Sequence, residues 1–449
     1  MIQCQGDRYS RLRQQRGLYL RTLADAALPP LRPPARRLVR SHAARFHTTV
    51  CKPYFNAPDA CCPMKPTHPS FFILISLIGG LAIFSSTLSK TPVLPLFAHA
   101  LNASPAEIGW IVMASTIPGI LVSYPAGALS DYLGKRRVLL ASLVVFATAP
   151  FLYLLIDTAW QLMAVRFYHG FATAIFGTVA SAAIAERYTT DRAARLSTYS
   201  SVTIVGRSIA PFLGGTLISL ASFGAVYIAC AVAGVLALGA GLLLKDHEPK
   251  PTMKLELPHF WASLVTVLRD RGIMLVSLVE SAQYLVFGAI EAFLALFAAS
   301  LGIPAWQIGV ILGVQLVSIV FAKPLMGRVS DRVGRKQIII PGLLIGAASV
   351  VLLPYFPNFI GLSVLSLVFG LGFATVTSST AALVADLTKD GRYGSSMGVL
   401  RTIMDVGQSI GPVLTGFMVG VAGYGSAFTL LAAILVAAAL MLGLLLRDE

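Results

Sequence analysis

The sequence predicts an all-α membrane protein in which twelve transmembrane helices form two pseudo-symmetric bundles of six. Three observations support this prediction: the chain is 56% hydrophobic and only 12% charged, it contains many continuous apolar runs, and one motif recurs 200 residues further along. A soluble domain has about 25% charged residues. Most of the surface of this chain is therefore expected to face lipid.

The apolar segments are close to the length of about 20 residues that a helix needs to cross a bilayer. Their apolar residues do not alternate with polar ones, which favours helices over a β-barrel. We predict helices over 70–98, 106–130, 136–156, 159–185, 196–221, 223–244, 272–298, 306–330, 337–355, 358–385, 394–420 and 424–446. A polar linker, 245–271, separates the first bundle, 64–244, from the second, 272–449.

The first 63 residues differ in composition from the rest of the chain. They contain ten Arg, one Lys and three Asp, and they lack the apolar run of a signal peptide. Because an apolar helix follows directly after Met64-Lys65, we expect residues 1–63 to be a disordered extension or an over-extended reading frame. A transit peptide is the alternative. This segment and the loops account for the net charge of +15, so the charge does not indicate a nucleic-acid partner.

The sequence gives no sign of a cofactor, a metal or an enzymatic site. Four of the five cysteines lie before residue 63, and Cys230 lies alone in an apolar run, so no metal spacing or disulfide framework follows. The chain has no Walker-type phosphate loop, which argues against direct use of ATP. A Gly-x-Ser-x-Gly pattern at 394–398 opens a membrane helix, whereas a hydrolase needs it between a strand and a helix.

Lys and Arg occur in only one of the two sets of loops. The loops near 99–105, 157, 222, 300–305, 356 and 422 contain none. The opposite loops contain Lys135, Arg136, Arg137, Arg187, Arg192, Arg195, Lys245, Lys250, Lys254, Arg335, Lys336, Lys389 and Arg392. By the positive-inside rule, we expect a multi-pass protein of the cytoplasmic membrane with both termini in the cytoplasm. We expect it to be a monomer.

The repeated motif joins the second apolar segment to the third and the eighth to the ninth. Its two copies consist of Gly127, Asp131, Gly134, Lys135 and Arg136, and of Gly327, Asp331, Gly334, Arg335 and Lys336. Further pairs at the same offset, such as Gly170 with Gly370 and Glu186 with Asp386, extend the duplication over most of both halves. Six helices per half give the copies the same orientation, as in transporters whose two halves rock around a central site.

With this motif, the chain resembles the major facilitator superfamily over residues 70–446, and within it the drug:proton antiporter branch. The motif is similar to that family's Gly-x-Leu-x-Asp-x-x-Gly-Arg-Arg/Lys, with Lys135 in place of Arg and Val329 in place of Leu. Gly134 supplies a tight turn. The resemblance implies that Asp131 helps to latch the cytoplasmic side closed. The alternative for the basic residues is that they only obey the positive-inside rule.

The fourth and fifth segments contain two further motifs of the family. Arg166 and His169 lie in a sequence similar to Arg-x-x-Gln-Gly, which implies proton coupling or a conformational role for Arg166, with a structural Arg as the alternative. The other motif is similar to an antiporter signature and is repeated in the eleventh segment, which implies export by exchange. Close helix packing by small residues is the alternative. Its residues here are Gly206, Pro211, Gly214, Gly215, Gly411 and Pro412.

Intramembrane polar residues are candidates for a proton or substrate site. Those of the later helices and of the fifth are Arg207, Glu280, Tyr284, Glu291, Arg401 and Asp405. Glu280 and Asp405 are the candidates for protonation, because dry surroundings disfavour the charged form of a carboxyl. Arg401 lies four residues before Asp405 and can pair with it. Lys90 and Lys323 lie near helix ends and are expected to snorkel or to join a gate.

These features together predict a secondary active transporter with a small-molecule substrate, protons and the lipid bilayer as its partners. Proton-coupled efflux of a small amphipathic compound or drug is the expected activity. Transport of sugars, organic acids or siderophores on the same fold is the nearest alternative, since Arg207 and Arg401 favour an anion. A membrane scaffold or receptor without transport is the alternative from another class.

Overall fold

The computed structural model describes residues 69–245, 267–388 and 393–446, and within these ranges it contains helices and no strand. The α-helices are α1 (Pro69–Leu88), α2 (Val93–Ala100), α3 (Pro105–Ala114), α4 (Ile117–Leu133), α5 (Lys135–Leu152), α6 (Ala159–Arg187), α7 (Arg192–Leu220), α8 (Phe223–Leu242), α9 (Arg271–Ser300), α10 (Ala305–Val333), α11 (Arg335–Leu352), α12 (Phe359–Leu387) and α13 (Tyr393–Leu445). The predicted extension 1–63 and most of the linker 245–271 lie outside these residues.

The structure confirms the predicted all-α fold, but several helices are interrupted or joined at positions that differ from the predicted boundaries. The first predicted helix is divided into α1 and α2, and the second into α3 and α4. The last two predicted helices form the single element α13, which is interrupted only by the non-helical backbone of Gly423 (φ 79°, ψ 176°). With α13 taken as one run, eleven described helical runs are long and apolar enough to cross a membrane.

Local sequence defines several helix starts. At the start of α3, the backbone N–H of Ser104 donates to the Glu107 carboxylate at 2.7 Å, and the Glu107 N–H donates to the Ser104 hydroxyl at 3.3 Å. Thr158 and Gln161 form the same reciprocal cap at the start of α6. Such caps satisfy backbone donors that have no partner within the helix. The helix boundaries are therefore encoded by a few residues at each start.

Three apolar cores hold the bundle together. One consists of residues of the N-terminal half around Phe146 and Phe176, and another of residues of the C-terminal half around Phe287 and Phe369. The third joins the halves, because it contains Phe293 of α9 together with buried side chains of α1, α2, α3 and α8. Both halves therefore have an interior of their own and share one apolar contact region.

The halves meet closely at one end of the bundle, between α7 and α10 and between α3 and α13. A Cβ placed on Gly109 would lie 2.6 Å from the Pro412 carbonyl oxygen, and one on Gly215 would lie 3.0 Å from the Gly309 Cα. This closed end carries the loops 101–104 and 301–304. Gly327 of α10 and Gly398 of α13 lie towards the opposite end, and a Cβ on either would have no neighbour within 4 Å. The halves are therefore packed together at the closed end.

Candidate functional site

A cavity of about 210 Å³ lies between the halves, beside the closed end. Three basic side chains line it, Lys90, Arg166 and Arg207, with Glu291 as the carboxylate among its lining residues. The other polar lining residues are Ser86, Thr87, Ser115, Thr116, His169, Thr173 and Gln408. The cavity is therefore polar and has an excess of basic side chains.

Arg166 is buried within α6 and is 3% exposed. Its guanidinium donates to the Ser115 hydroxyl at 2.8 Å and to the Tyr153 hydroxyl at 3.4 Å, and its Nε has no partner among the described residues. His169 shares the same group of side chains, because its Nδ1 lies 3.3 Å from the Tyr153 hydroxyl. Neutral groups alone therefore solvate the charge of Arg166, although a buried cation is costly.

Lys90 and Glu291 form an ion pair between the two halves. The Lys90 ammonium lies 2.8 Å from the Glu291 carboxylate, and the two side chains are 23% and 5% exposed. A second polar contact between the halves joins the hydroxyls of Thr116 and Ser409 at 2.6 Å. Neither contact is predicted from the sequence, in which Glu291 is an intramembrane residue and Lys90 is expected to snorkel or to join a gate. The structure places Lys90 at the junction of the halves.

Glu280 forms a separate cluster in the C-terminal half. Its side chain is 3% exposed and accepts a hydrogen bond from the Thr380 hydroxyl. Lys323 lies within electrostatic range of Glu280, and its ammonium lies 5.9 Å from the centre of the Phe373 ring. The Tyr284 ring packs on the same Phe373 at 5.0 Å. Lys323 therefore extends into the bundle beside Glu280 instead of snorkelling to a surface.

The expected ion pair between Arg401 and Asp405 is absent from the described residues, where no contact within 4 Å joins the two charges. Both lie within electrostatic range of Tyr284, as does Arg207. The reason lies in the order of the charges, since an acidic residue placed before the basic one pairs better on a helix than the reverse order found here. Arg401 is also exposed, and an exposed ion pair contributes little.

The proline and glycine residues of the antiporter-like motif lie at helix contacts. In α7, a Cβ on Gly206 would lie 2.9 Å from the Gly80 carbonyl oxygen of α1, and one on Gly214 would lie 3.1 Å from a methyl of Val93. Gly411 of α13 faces the backbone of α9 in the same way. The carbonyls of Pro211 and Pro412 face glycines of the opposite half, Gly309 and Gly109. Gly109 and Gly309 lie outside this motif and occupy equivalent positions, 200 residues apart, in the two halves.

The two copies of the repeated motif form matching ion pairs within each half. Lys135 pairs with Glu186, and Arg335 pairs with Asp386 at 3.0 Å and with the nearby Asp331. Gly134 and Gly334 have φ values of 91° and 110°, as the tight turn before the next helix requires. The side chain of Asp131 lies outside the described part of the chain, so its role as a latch stays a prediction.

A second pair of basic residues caps the last helix of each half. Arg136 donates to the backbone carbonyls of Leu244 at 2.5 Å and Leu242 at 3.2 Å, and Lys336 donates to the carbonyl of Leu446 at 2.6 Å. Carbonyls at a helix C-terminus have no partner within the helix and attract cations. Arg136 and Lys336 therefore have a structural role, in addition to any effect on the orientation of the protein in the membrane.

Arg136→Met is expected to lower the free energy of unfolding by about 1 kcal/mol, because a cation at a helix C-terminus contributes about that much. We expect Lys336→Met to act alike in the other half. Thermal unfolding of the purified protein measures both. Arg137→Met is the control, since Arg137 is exposed and has no partner among the described residues. Equal losses for Arg136→Met and Arg137→Met would contradict the capping role.

A family model described as the Major Facilitator Superfamily matches residues 75–313 and residues 276–449. Among curated proteins, the chain is 24% identical to the staphyloferrin B transporter of Staphylococcus aureus over 74% of this chain and 81% of that protein. It is 26% identical to the multidrug transporter MdfA of Yersinia pestis over 67% of this chain and 76% of that protein. An uncharacterised transporter of Methanocaldococcus jannaschii is 23% identical over 75% of this chain and 88% of its own length.

Solved structures share the fold at low sequence identity. A point mutant of the nucleoside transporter NupG superposes with a TM-score of 0.75 over 84% of this chain and 100% of that chain, at 14% identity. A bacterial homologue of the human lysosomal transporter Spinster, in an inward-facing and unoccupied conformation, gives 0.69 over 84% and 95% at 15% identity.

Proposed function

The chain belongs to the Major Facilitator Superfamily of membrane transporters, and on that premise we propose that it exports a small amphipathic compound in exchange for protons. The observation that supports proton coupling is the buried Glu280, which bonds to the Thr380 hydroxyl beside Lys323. We propose that the protein acts as a monomer in the cytoplasmic membrane with both termini in the cytoplasm. The loops at the closed end, which lack Lys and Arg, then face outwards.

Close packing of the halves at the closed end supports alternating access. The glycine contacts, the Lys90–Glu291 pair and the Thr116–Ser409 contact all lie at or near the closed end. The proposed orientation makes this end the outer one, so the cavity opens to the cytoplasm in this state. Transport then requires these contacts to separate while contacts form at the other end.

Glu280 is suited to carry the proton, because its protonation changes the net charge of the buried cluster that it forms with Lys323. As a carboxylate it partly compensates Lys323, and as a neutral acid it leaves that ammonium uncompensated. A buried charge is tolerated only with a partner or with water. Protonation therefore favours whichever state of the transporter gives Lys323 access to water or to another anion. Asp405 of α13 is half-buried and is the second carboxyl proposed to titrate.

Glu280→Gln is expected to abolish proton movement and to preserve substrate exchange, because an amide keeps the hydrogen bond but binds no proton. The full chain is reconstituted in liposomes that contain a pH-sensitive dye, and a panel of toxic amphipathic compounds is added. We expect compound-driven proton flux to fall about tenfold or more, while counterflow of the labelled compound continues.

Asp157→Asn is the control for this experiment, since Asp157 is an exposed loop carboxylate. It is expected to leave both the proton flux and the counterflow unchanged. Full proton flux in Glu280→Gln and also in Asp405→Asn would contradict the proposed coupling. Absence of flux with every compound would favour a scaffold or receptor.

A second candidate function is transport of an organic acid or a siderophore. Lys90, Arg166 and Arg207 in the cavity favour it, because Glu291 is the carboxylate that faces them among the lining residues. A relative described as a staphyloferrin B transporter is consistent with this candidate. The same reconstituted system distinguishes the two functions by the charge of the compounds that move.

A further inference from the structure

We infer that the central cavity binds its ligand by an acidic group, which lies between Arg166 and Arg207 in the N-terminal half. This inference rests on the proposed transport function, since it assigns a ligand class to the same cavity. In the sequence, Arg207 and Arg401 are the residues that favour an anionic substrate. The structure supports Arg207 for this role and adds Arg166, whereas Arg401 does not line the cavity.

The lining charges do not balance without a ligand. Glu291 is already bonded to Lys90 at 2.8 Å. Arg166 has only hydroxyl partners, and Arg207 has no hydrogen bond or ion pair among the described residues. Two guanidinium groups therefore line one cavity without a carboxylate bonded to either. The charge of the buried Arg166 is costly without an anion or water, whereas Arg207 is exposed, so an incoming anion can reach its guanidinium.

The surroundings of the two arginines suit a carboxylate better than a neutral or cationic group. A guanidinium presents several donors in a plane and binds carboxylates through two parallel hydrogen bonds. Ser115, Thr173 and Gln408 line the same cavity and add hydroxyl and amide groups. Among the described lining residues, a cationic ligand would find a carboxylate at Glu291, which is already bonded to Lys90. The cavity therefore selects against cations.

The enclosed part of the cavity is small. Its volume of about 210 Å³ is below the roughly 300–1,000 Å³ of pockets that hold drug-sized ligands. The apolar lining residue Ile83 and the methyl groups of the threonines offer some contact to a hydrocarbon body. We therefore expect an aromatic or aliphatic acid of one or two rings, with its carboxylate directed to the arginines.

The test measures ligand binding to the full chain in lipid nanodiscs, without any proton gradient. The probes are benzoate and 1-naphthoate, each with its amide and its methylammonium analogue, and binding is read from thermal unfolding. We expect at least one carboxylate to bind about tenfold or more tightly than its amide and its ammonium analogue. Arg207→Gln is expected to remove this preference, Arg207→Lys to keep part of it, and Arg332→Gln, an exposed control outside the cavity, to keep all of it.

A second measurement keeps the proposal testable if an Arg207 variant does not fold. Thr173→Cys, in a chain whose Cys4, Cys51, Cys61 and Cys62 are replaced by Ser, is labelled with an anionic and a cationic methanethiosulfonate. We expect the anionic reagent to react faster, relative to a free thiol, and Arg207→Gln to lower that ratio. Faster reaction of the cationic reagent overturns the inference. So does a series in which no carboxylate binds, or in which an ammonium analogue binds as tightly.

The two proposals fail in different ways. Carboxylate binding without compound-driven proton flux would contradict proton exchange and leave the anion site in place. Proton flux driven only by cationic compounds would support exchange and overturn the anion site.

Discussion

Lys90→Met is expected to open the protein at the closed end and to shift its population to the state that faces outwards. The substitution leaves the Glu291 carboxylate, which is 5% exposed, without its partner at the junction of the halves. Removing one member of a buried ion pair costs about 3–5 kcal/mol. A cost of that size changes a two-state population about a hundredfold or more. Water reaches Glu291 when the halves separate, so opening relieves the cost.

The measurement is the distance between spin labels on the two halves at the closed end. His99→Cys in α2 and Ser300→Cys in α9 are both exposed there and provide the labelling sites. We expect short distances in the parent chain and a dominant longer distance in Lys90→Met. Labels placed at the opposite end should report the reverse change.

Two further variants distinguish the effect of breaking the ion pair from the effect of losing the Lys90 side chain alone. Glu291→Gln leaves Lys90 unpaired, but that side chain is 23% exposed and retains some water, so a smaller shift is expected. The double variant Lys90→Met with Glu291→Gln removes both charges and is expected to close again, because neither member of the pair then leaves the other charge without its partner. A parent-like distance distribution in Lys90→Met would show that the pair does not hold the closed end.

The sequence predicts the helices and turns because their causes are local. A continuous apolar run gives a membrane helix whatever its neighbours are, and the glycine of each repeated motif adopts the positive φ that its tight turn requires. Because further residue pairs recur at the same offset of 200 residues, the duplication extends from one motif to most of the chain. The break at Gly423 matches the boundary between two predicted helices for the same reason.

The contacts between the halves do not follow from local sequence. Lys90 and Glu291 are 201 residues apart, and the packing of α9 against α2 brings them together. Arg401 and Asp405 show the opposite failure, since a favourable spacing on one helix did not produce a pair. In both cases tertiary packing and access to water determine which charges meet.

Gly309→Ala is expected to prevent the halves from closing and to reduce transport about tenfold or more, by excluding one of the two states that transport requires. The added Cβ would meet the Pro211 carbonyl of α7 and lie 3.2 Å from the Gly215 Cα. Both neighbours are backbone atoms, so no side chain can turn aside to make room. Gly109→Ala is expected to act alike, since its Cβ would lie 2.6 Å from the Pro412 carbonyl oxygen.

Gly239→Ala in α8 is the control, because Gly239 lies outside the repeated motif and its Cβ would have no neighbour within 4 Å. Replacing glycine by alanine within a helix favours the helix by about 1 kcal/mol, so both variants gain the same local stability. Any difference between them in the distance between His99→Cys and Ser300→Cys therefore comes from the contact of the halves. If Gly309→Ala keeps the parent distance and the parent flux, the close backbone contact of α7 and α10 is not needed for closure. Loss of transport with longer distances in Gly309→Ala alone would identify this contact as one on which closure depends.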